Sequence, residues 1–258
     1  MPLKAPERES PSTTSRAAAV AVSAVSKTFA GRDGPVHALR EVSFDVAAGE
    51  TLGIVGPSGC GKSTLLEVIC GLEPASAGDV AVTGECVLMP QKDLLLPWRS
   101  ALDNAALALE LRRVPRRAAR SRARSLFERF GLEHFARARP SELSGGMRQR
   151  VAFARTLLAD RPVLLLDEPF ASLDSITRAE LQGWLVDALA DESRTTLLVT
   201  HDIEEALFVC DRVLVMSRRP GTIVEEVESG VDRSAVRADV VTSPAFTRLR
   251  QRALEALA

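Results

Sequence analysis

The sequence has few of the residues that stabilise a fold through covalent bonds or metal ions. Its 258 residues include four cysteines, three histidines and no tyrosine. The cysteines are Cys60, Cys70, Cys86 and Cys210, which are scattered singly and form no CxxC pair. Neither a disulfide framework nor a zinc site is indicated, and we expect four buried, reduced thiols.

Long apolar runs and an excess of one charge are also missing. No segment approaches the roughly 20 apolar residues of a membrane-spanning helix, and the first residues lack the apolar core of a secretory signal. The formal net charge is -1, which gives no overall attraction to nucleic acid. These features predict a soluble, cytosolic enzyme or subunit that reaches a membrane only through a partner.

One glycine-rich segment carries a specific chemical signal. Gly56-Pro57-Ser58-Gly59-Cys60-Gly61-Lys62-Ser63-Thr64 fits the pattern G-x-x-x-x-G-K-[ST] and follows an apolar run typical of a buried strand. The segment after it has helical composition, so its backbone N–H groups would surround a phosphate at a helix N-terminus. We predict that Lys62 contacts the β- and γ-phosphates of a nucleoside triphosphate and that Ser63 binds Mg²⁺. A chance glycine-rich turn is the alternative.

An acidic pair follows a second apolar run. The run Val163–Leu166 ends in Asp167 and Glu168, as expected of a central strand whose carboxyl end faces the ligand. We predict that Asp167 holds Mg²⁺ through water and that Glu168 is the general base or orients the attacking water. The alternative is a simple turn signal.

The pattern of apolar residues predicts an α/β core with an inserted helical block. Residues 20–29 and 37–46 alternate between apolar and polar residues, which predicts two antiparallel strands. Helical patterns run from about 94 to 158, and parallel strands resume from residue 163. We place a disordered leader at residues 1–18 and a short helical tail at residues 231–258, which packs on the core or caps a dimer.

A third motif narrows the family. Leu143-Ser144-Gly145-Gly146-Met147 precedes a helix, so Ser144 is a natural N-cap and the glycines expose N–H groups to an anion. With the other motifs, this segment resembles the ATP-binding cassette (ABC) family, whose signature is LSGGQ. The resemblance covers about residues 20–227. It implies an α/β fold, a P-loop NTPase core of ABC type with an antiparallel β subdomain and an inserted helical subdomain, over residues 19–230.

The resemblance assigns roles to further residues. Gln91 matches a glutamine that reaches Mg²⁺ and the attacking water, and His201 matches a catalytic histidine that contacts the γ-phosphate. Ser172–Asp174 matches the loop that links two active sites. Phe29 matches the aromatic residue that stacks on adenine, a position often held by tyrosine; ordinary core packing is the alternative.

The resemblance also implies an assembly. Two cassettes pack head to tail with ATP and Mg²⁺, so Ser144, Gly145 and Gly146 of one subunit would contact the ATP bound by the other. Such subunits bind transmembrane permeases at the cytoplasmic face of the inner membrane and serve a solute-binding protein indirectly. No nucleic-acid partner is expected.

The segment from Gln91 to Asn104, with its LLPW and LDN patterns, resembles ATPase subunits of nitrate, sulfonate, taurine and pyrimidine-precursor importers. Trp98 and the leucines before it would contact the permease, pack into the helical subdomain, or do both. An ATPase of another transporter, or a cassette for DNA repair, an assembly machine or translation, remains the alternative. We interpret the arginines between residues 112 and 124 as a solvated face, with an anionic lipid or nucleic-acid surface as the alternative.

Overall fold

The computed structural model describes residues 18–32, 34–192, 194–233, 235 and 237–257, so the predicted leader lies almost entirely outside the described residues. The strands are β1 (Ala18–Gly31), β2 (Gly34–Ala47), β3 (Thr51–Val55), β4 (Ala77–Val82), β5 (Cys86–Met89), β6 (Val163–Asp167), β7 (Thr195–Thr200), β8 (Arg212–Met216) and β9 (Ile223–Glu228). The helices are α1 (Lys62–Ile69), α2 (Ala101–Leu111), α3 (Arg116–Arg129), α4 (Gly145–Leu158), α5 (Ser175–Glu192), α6 (Ile203–Val209), α7 (Arg237–Thr242) and α8 (Pro244–Glu255).

A six-stranded sheet forms the core, in the order β5-β6-β7-β3-β8-β9. The first five strands in that order are parallel, and β9 is antiparallel to β8. Every residue of β3, β6 and β7 is buried, which explains their continuous apolar and β-branched sequences. The carboxyl ends of five strands therefore share one edge of the sheet, and β9 is a strand that the sequence pattern did not predict.

A three-stranded antiparallel sheet, in the order β2-β1-β4, covers helix α1. The two long strands that were predicted to pair do so, with Phe29 opposite Val36. Their inner face packs with β3 and α1 in one apolar cluster that includes Val22, Leu39 and Leu65. This packing fixes the end of the β1–β2 hairpin beside the phosphate loop.

The inserted block consists of α2, α3 and α4 around an aromatic group. The ring of Phe130 stacks on Phe153 at 5.7 Å and meets the edge of Trp184 at 4.9 Å between centroids.

The arginines on and before α3 do more than form a solvated face, which was the expected interpretation. Arg120 donates to both oxygens of Asp103 on α2 at 2.6 and 2.8 Å, and Arg116 also contacts this carboxylate.

The C-terminal segment packs on the core, which is one of the two arrangements expected from the sequence; the other was a cap on a dimer. Helices α7 and α8 contact α6, and α8 also contacts β9. Phe246 is buried in this contact, and Arg250 forms an ion pair with Glu204. No helix among the described residues is long and apolar enough to cross a membrane.

The cysteines fall into two groups. Cys60 and Cys210 are buried, as expected. The expectation is wrong for Cys70 and Cys86, which are only partly buried and lie with their sulfur atoms 3.5 Å apart. These two residues are 16 positions apart in sequence, and no local spacing pattern reveals their contact.

Candidate active site

The phosphate loop connects the centre of the sheet to helix α1. Gly59 and Gly61 have φ angles of 75° and 113°, in the left-handed region that glycine adopts at little cost. A Cβ atom on Gly61 would lie 2.7 Å from the carbonyl oxygen of Ala38, so a larger residue cannot replace it without moving β2. No side chain caps the N-terminus of α1, which leaves its N–H groups available to an anion.

Lys62 lies inside this loop. Its side chain is buried, and its ammonium donates to the carbonyl oxygens of Gly56 at 2.7 Å and Pro57 at 3.1 Å. A buried ammonium that is held by the loop's own backbone places a positive charge where the loop surrounds its ligand. This position agrees with the predicted contact to a polyphosphate.

Asp167 ends strand β6 beside the loop. Burial raises the pKa of this carboxyl above its ordinary value, and the neighbouring Glu168 raises it further, whereas a hydrogen bond with Ser63 and the charge of Lys62 oppose the shift. A hydroxyl and a carboxylate in contact are the hard oxygen donors that Mg²⁺ prefers. A divalent cation would also offset the cost of burying the carboxylate. The residues present therefore fit a magnesium ion.

Glu168 follows in an unusual backbone conformation. Its φ angle of 48° lies in the left-handed region, and its N–H donates to the carbonyl oxygen of Val199 at 2.8 Å. Its carboxylate is 2.9 Å from Nδ1 of His201, which follows strand β7. Strain of this kind is common where a side chain must be aimed precisely. The structure thus brings together two of the predicted catalytic residues.

A cleft of about 270 Å³ lies against the phosphate loop. The loop residues that line it are Ser58, Gly59 and Gly61 to Thr64, and Phe29, Gln91, Glu168 and Arg219 line it as well. Phe29 is partly exposed at this cleft, which disagrees with the alternative of ordinary core packing. Lys27 lies over its ring, 4.7 Å from the centroid, and this cation–π contact holds the ring in place.

Arg219 is a residue of this cleft that the sequence motifs did not assign to the site. It lies in the loop that follows β8, where Gly221 exchanges backbone hydrogen bonds with Ala38 and Arg40 of β2. A Cβ atom on Gly221 would lie 2.3 Å from the carbonyl oxygen of Cys60, so this loop packs directly on the phosphate loop. The position of Arg219 after a parallel strand was the available signal.

The LSGGM segment begins helix α4 at a different place. Ser144 accepts a hydrogen bond from the N–H of Met147 at 3.2 Å, as its predicted N-cap role requires. Gly146 lies against Ser172, whose carbonyl oxygen would be 3.1 Å from an added Cβ atom. The residues that line the cleft, in the part of the chain that the structure describes, do not include Ser144, Gly145 or Gly146.

Comparison with known proteins identifies this arrangement. A sequence model of the ABC transporter family matches residues 39–171. The taurine import ATP-binding protein TauB of Rhizobium johnstonii is 46% identical over 236 residues, which cover 86% of this chain and 90% of the relative. This chain belongs to the ABC transporter family. The nitrate import ATP-binding protein NrtD of Synechococcus elongatus is another relative of this ABC protein, with 42% identity over 90% of this chain and 89% of the relative.

A solved structure agrees with the fold. The dimeric post-hydrolysis state of the ATP-binding cassette MJ0796, bound to ADP and phosphate, matches with a TM-score of 0.76 and 30% identity, over 81% of this chain and 98% of that chain. The chain is therefore an ABC ATPase that binds nucleotide. The expected fold class, a P-loop core with antiparallel and helical subdomains, is confirmed.

Proposed function

We propose that this ABC ATPase energises an importer of the nitrate, sulfonate and taurine type. The single observation that carries the catalytic part is the convergence of residues that follow four parallel strands, β3, β5, β6 and β8, on one cleft. The importer part rests on the named functions of the relatives.

In the proposed reaction, water attacks the γ-phosphate of ATP and the bond to the β-phosphate breaks. Glu168 accepts a proton from this water or orients it, and His201, in contact with the Glu168 carboxylate, keeps that carboxylate aimed at the water. Lys62 and the N–H groups of the loop stabilise the negative charge on the phosphates. Phe29 stacks on the adenine ring.

Ser63, Asp167 and Gln91 are the residues that would hold Mg²⁺. When bound, the ion supplies positive charge to the phosphate oxygens. The buried carboxyl of Asp167 and its contact with Ser63 support this assignment. Gln91 lines the same cleft. Of these three residues, Gln91 lies on the loop between β5 and α2, which leads into the helical subdomain.

The active form is proposed to be a head-to-tail dimer of two copies or of related cassettes. Ser144, Gly145 and Gly146 would contact the ATP held by the partner subunit. The position of the LSGGM segment outside the cleft of its own chain supports this assignment, as does the similarity to dimeric cassettes.

The proposed permease surface lies just after Gln91. Leu94 and Trp98 are 60% and 71% exposed, whereas Leu95 between them is buried. Large exposed apolar side chains of this kind serve as anchors for a partner. Through the permease, the ATPase would be a peripheral protein at the cytoplasmic face of the membrane and would serve a solute-binding protein indirectly.

The variant Glu168→Gln tests the catalytic assignment. It keeps the size of the side chain but loses its negative charge, so we expect ATP hydrolysis to fall by about 100-fold or more while ATP binding persists. Size-exclusion chromatography with ATP and Mg²⁺ should show an accumulated dimer. The control Glu133→Gln, on an exposed turn, should hydrolyse ATP at the parental rate. If Glu168→Gln hydrolyses ATP at the parental rate, the proposal is contradicted.

The variant Ser144→Arg tests the shared site. The larger side chain would block the approach of the partner's ATP, so dimer accumulation in the Glu168→Gln background should be lost, whereas binding of ATP to the monomer should remain. An undiminished dimer would reject the head-to-tail arrangement.

Transport is tested in liposomes that contain a permease of the nitrate, sulfonate or taurine type with which this subunit co-purifies, with the matching binding protein outside and ATP and this subunit inside. ATP-dependent uptake of taurine, an alkanesulfonate or nitrate supports the importer assignment. ATP-driven efflux, or failure of this chain to assemble with any permease, rejects it.

A further inference from the structure

Cys70 and Cys86 form a thiol pair outside the nucleotide cleft. Cys70 is the C-cap of helix α1, and Cys86 is the first residue of strand β5. Their sulfur atoms lie 3.5 Å apart, and both residues are partly exposed. A disulfide bond is about 2.0 Å long, so the sulfurs need to approach by only about 1.5 Å to be joined.

We propose that Cys70 and Cys86 are a redox-sensitive modification site that a peroxide converts into a disulfide. A zinc site is the other common use of a thiol pair. Within the described ranges, however, no group of three or more His, Cys, Asp or Glu side chains could hold a metal ion. The inference concerns the chemistry of the two thiols and does not depend on the proposed transport function.

Cys86 is the thiol that we expect an oxidant to attack first. It is one of the residues that line a cavity of about 340 Å³, together with Arg112, Arg155 and Arg161. The hydrogen-bonding contact between the two sulfurs lowers the pKa of Cys86 to about 7, whereas the same contact raises the pKa of Cys70. Partly exposed thiolates are the reactive form of cysteine.

The reaction balances with hydrogen peroxide as the oxidant. The Cys86 thiolate attacks one peroxide oxygen, the O–O bond breaks, and hydroxide leaves with the electron pair, which produces Cys86 sulfenic acid. Cys70 then attacks the sulfenic sulfur. The S–S bond forms, the S–O bond breaks, and the Cys70 proton leaves in water. The two sulfurs lose two electrons in total, and the peroxide gains them.

The disulfide would join two elements that carry residues of the cleft. Helix α1 begins at Lys62, and strand β5 ends at Met89, two residues before Gln91. The bond would fix the far ends of both elements relative to each other. It would also close a loop in the unfolded chain, so the oxidised protein should melt at a higher temperature than the reduced protein.

The test treats the intact protein with hydrogen peroxide, then alkylates the free thiols and maps the peptides by mass spectrometry. We expect two of the four thiols to be lost, a linked Cys70–Cys86 peptide, and full reversal by dithiothreitol. Cys86→Ser should lose no thiol, whereas Cys70→Ser should retain a Cys86 sulfenic acid that dimedone traps.

The control Cys210→Ala removes a buried thiol and should form the same link. If all four thiols of the parent are still free for alkylation after a peroxide dose that oxidises glutathione, the proposal is overturned. A link that joins any other pair, or equal thiol loss in Cys86→Ser and the parent, would overturn it as well.

Discussion

Glu205 on α6 is a buried acid close to His201 in sequence, and we predict that it makes the stability of this ATPase depend on pH. The residue is 4% exposed, and its only hydrogen bond to a side-chain nitrogen among the described residues comes from Gln182 at 3.3 Å. Burial raises the pKa of Glu205 to about 7, and Asp202 adds repulsion, against the opposing effects of Thr200, Arg178 and Gln182.

The sign of the effect follows from the two protonation states. Below the ordinary pKa of 4.5, Glu205 is neutral in both the folded and the unfolded chain, and no difference arises. Between that value and about 7, the unfolded chain loses its proton first, so the folded state is destabilised as the pH rises. The destabilisation of the folded state by ionised Glu205 reaches its full size above about pH 7. At about 1.4 kcal/mol for each unit of pKa difference, it reaches roughly 3 kcal/mol.

The variant Glu205→Gln removes this titration and keeps the side-chain shape. We expect the free energy of unfolding of the variant, relative to the parent, to rise by roughly 2–3 kcal/mol between about pH 5 and about pH 8.5. Urea unfolding followed by the fluorescence of Trp184, which packs against Phe153 at 6.1 Å, measures it. Glu204→Gln, on the exposed side of the same helix, should leave the parental pH dependence unchanged. A Glu205→Gln effect of equal size at both pH values would refute the reasoning.

Three further variants test other parts of the structure. Lys62→Ala should weaken ATP binding by about 10- to 100-fold, because it removes a charge-assisted phosphate contact; titration with a fluorescent ATP analogue measures this loss, and an unchanged affinity contradicts the assignment. Arg219→Ala should weaken the same binding by about 3- to 10-fold, whereas Arg218→Ala, outside the cleft, should not. Asp103→Asn should lower the stability by about 1–2 kcal/mol above pH 4, because Arg120 holds the pKa of Asp103 at about 2; this difference should vanish as the pH falls towards 2, and calorimetry across that range checks it.

Local patterns were sufficient to predict most of the fold. The phosphate loop is recognisable because strand, glycine turn and helix each leave a signal in consecutive residues, and the buried strand Val163–Asp167 is recognisable because both of its faces are covered. Strand β9 was missed because its sequence does not alternate between apolar and polar residues: Val224 is exposed, Glu225 is on the half-buried face, and half of the residues are charged. A short edge strand of this kind is defined by its partner β8 and not by its own composition.

The sequence predicted which residues meet in the site only where those residues directly follow the carboxyl end of a parallel strand. Gln91, Glu168 and His201 all follow strands whose carboxyl ends meet, so their convergence could be anticipated. Arg219 also follows a parallel strand, so its position offered a signal that the motifs did not use. The contact between Cys70 and Cys86 could not be anticipated, because it depends on tertiary packing between segments that share no pattern. The conformation of Glu168, with its positive φ angle, is likewise set by its surroundings and not by its residue type.

The contacts of Arg148 connect the loop after Gln91 with the LSGGM segment, which is proposed to contact the partner's ATP. Its guanidinium donates to Asp93 at 2.9 Å, two residues after Gln91, and to the carbonyl oxygen of Leu143 at 2.8 Å, the residue before Ser144. Arg155, about two turns further along α4, donates to the carbonyl oxygens of Asp93 and Leu94. These bonds hold the loop after Gln91 and the start of α4 as one unit. A displacement of Gln91 when nucleotide binds would therefore move Ser144 and the exposed Leu94 together, which is the kind of packed connection that coupling between sites requires.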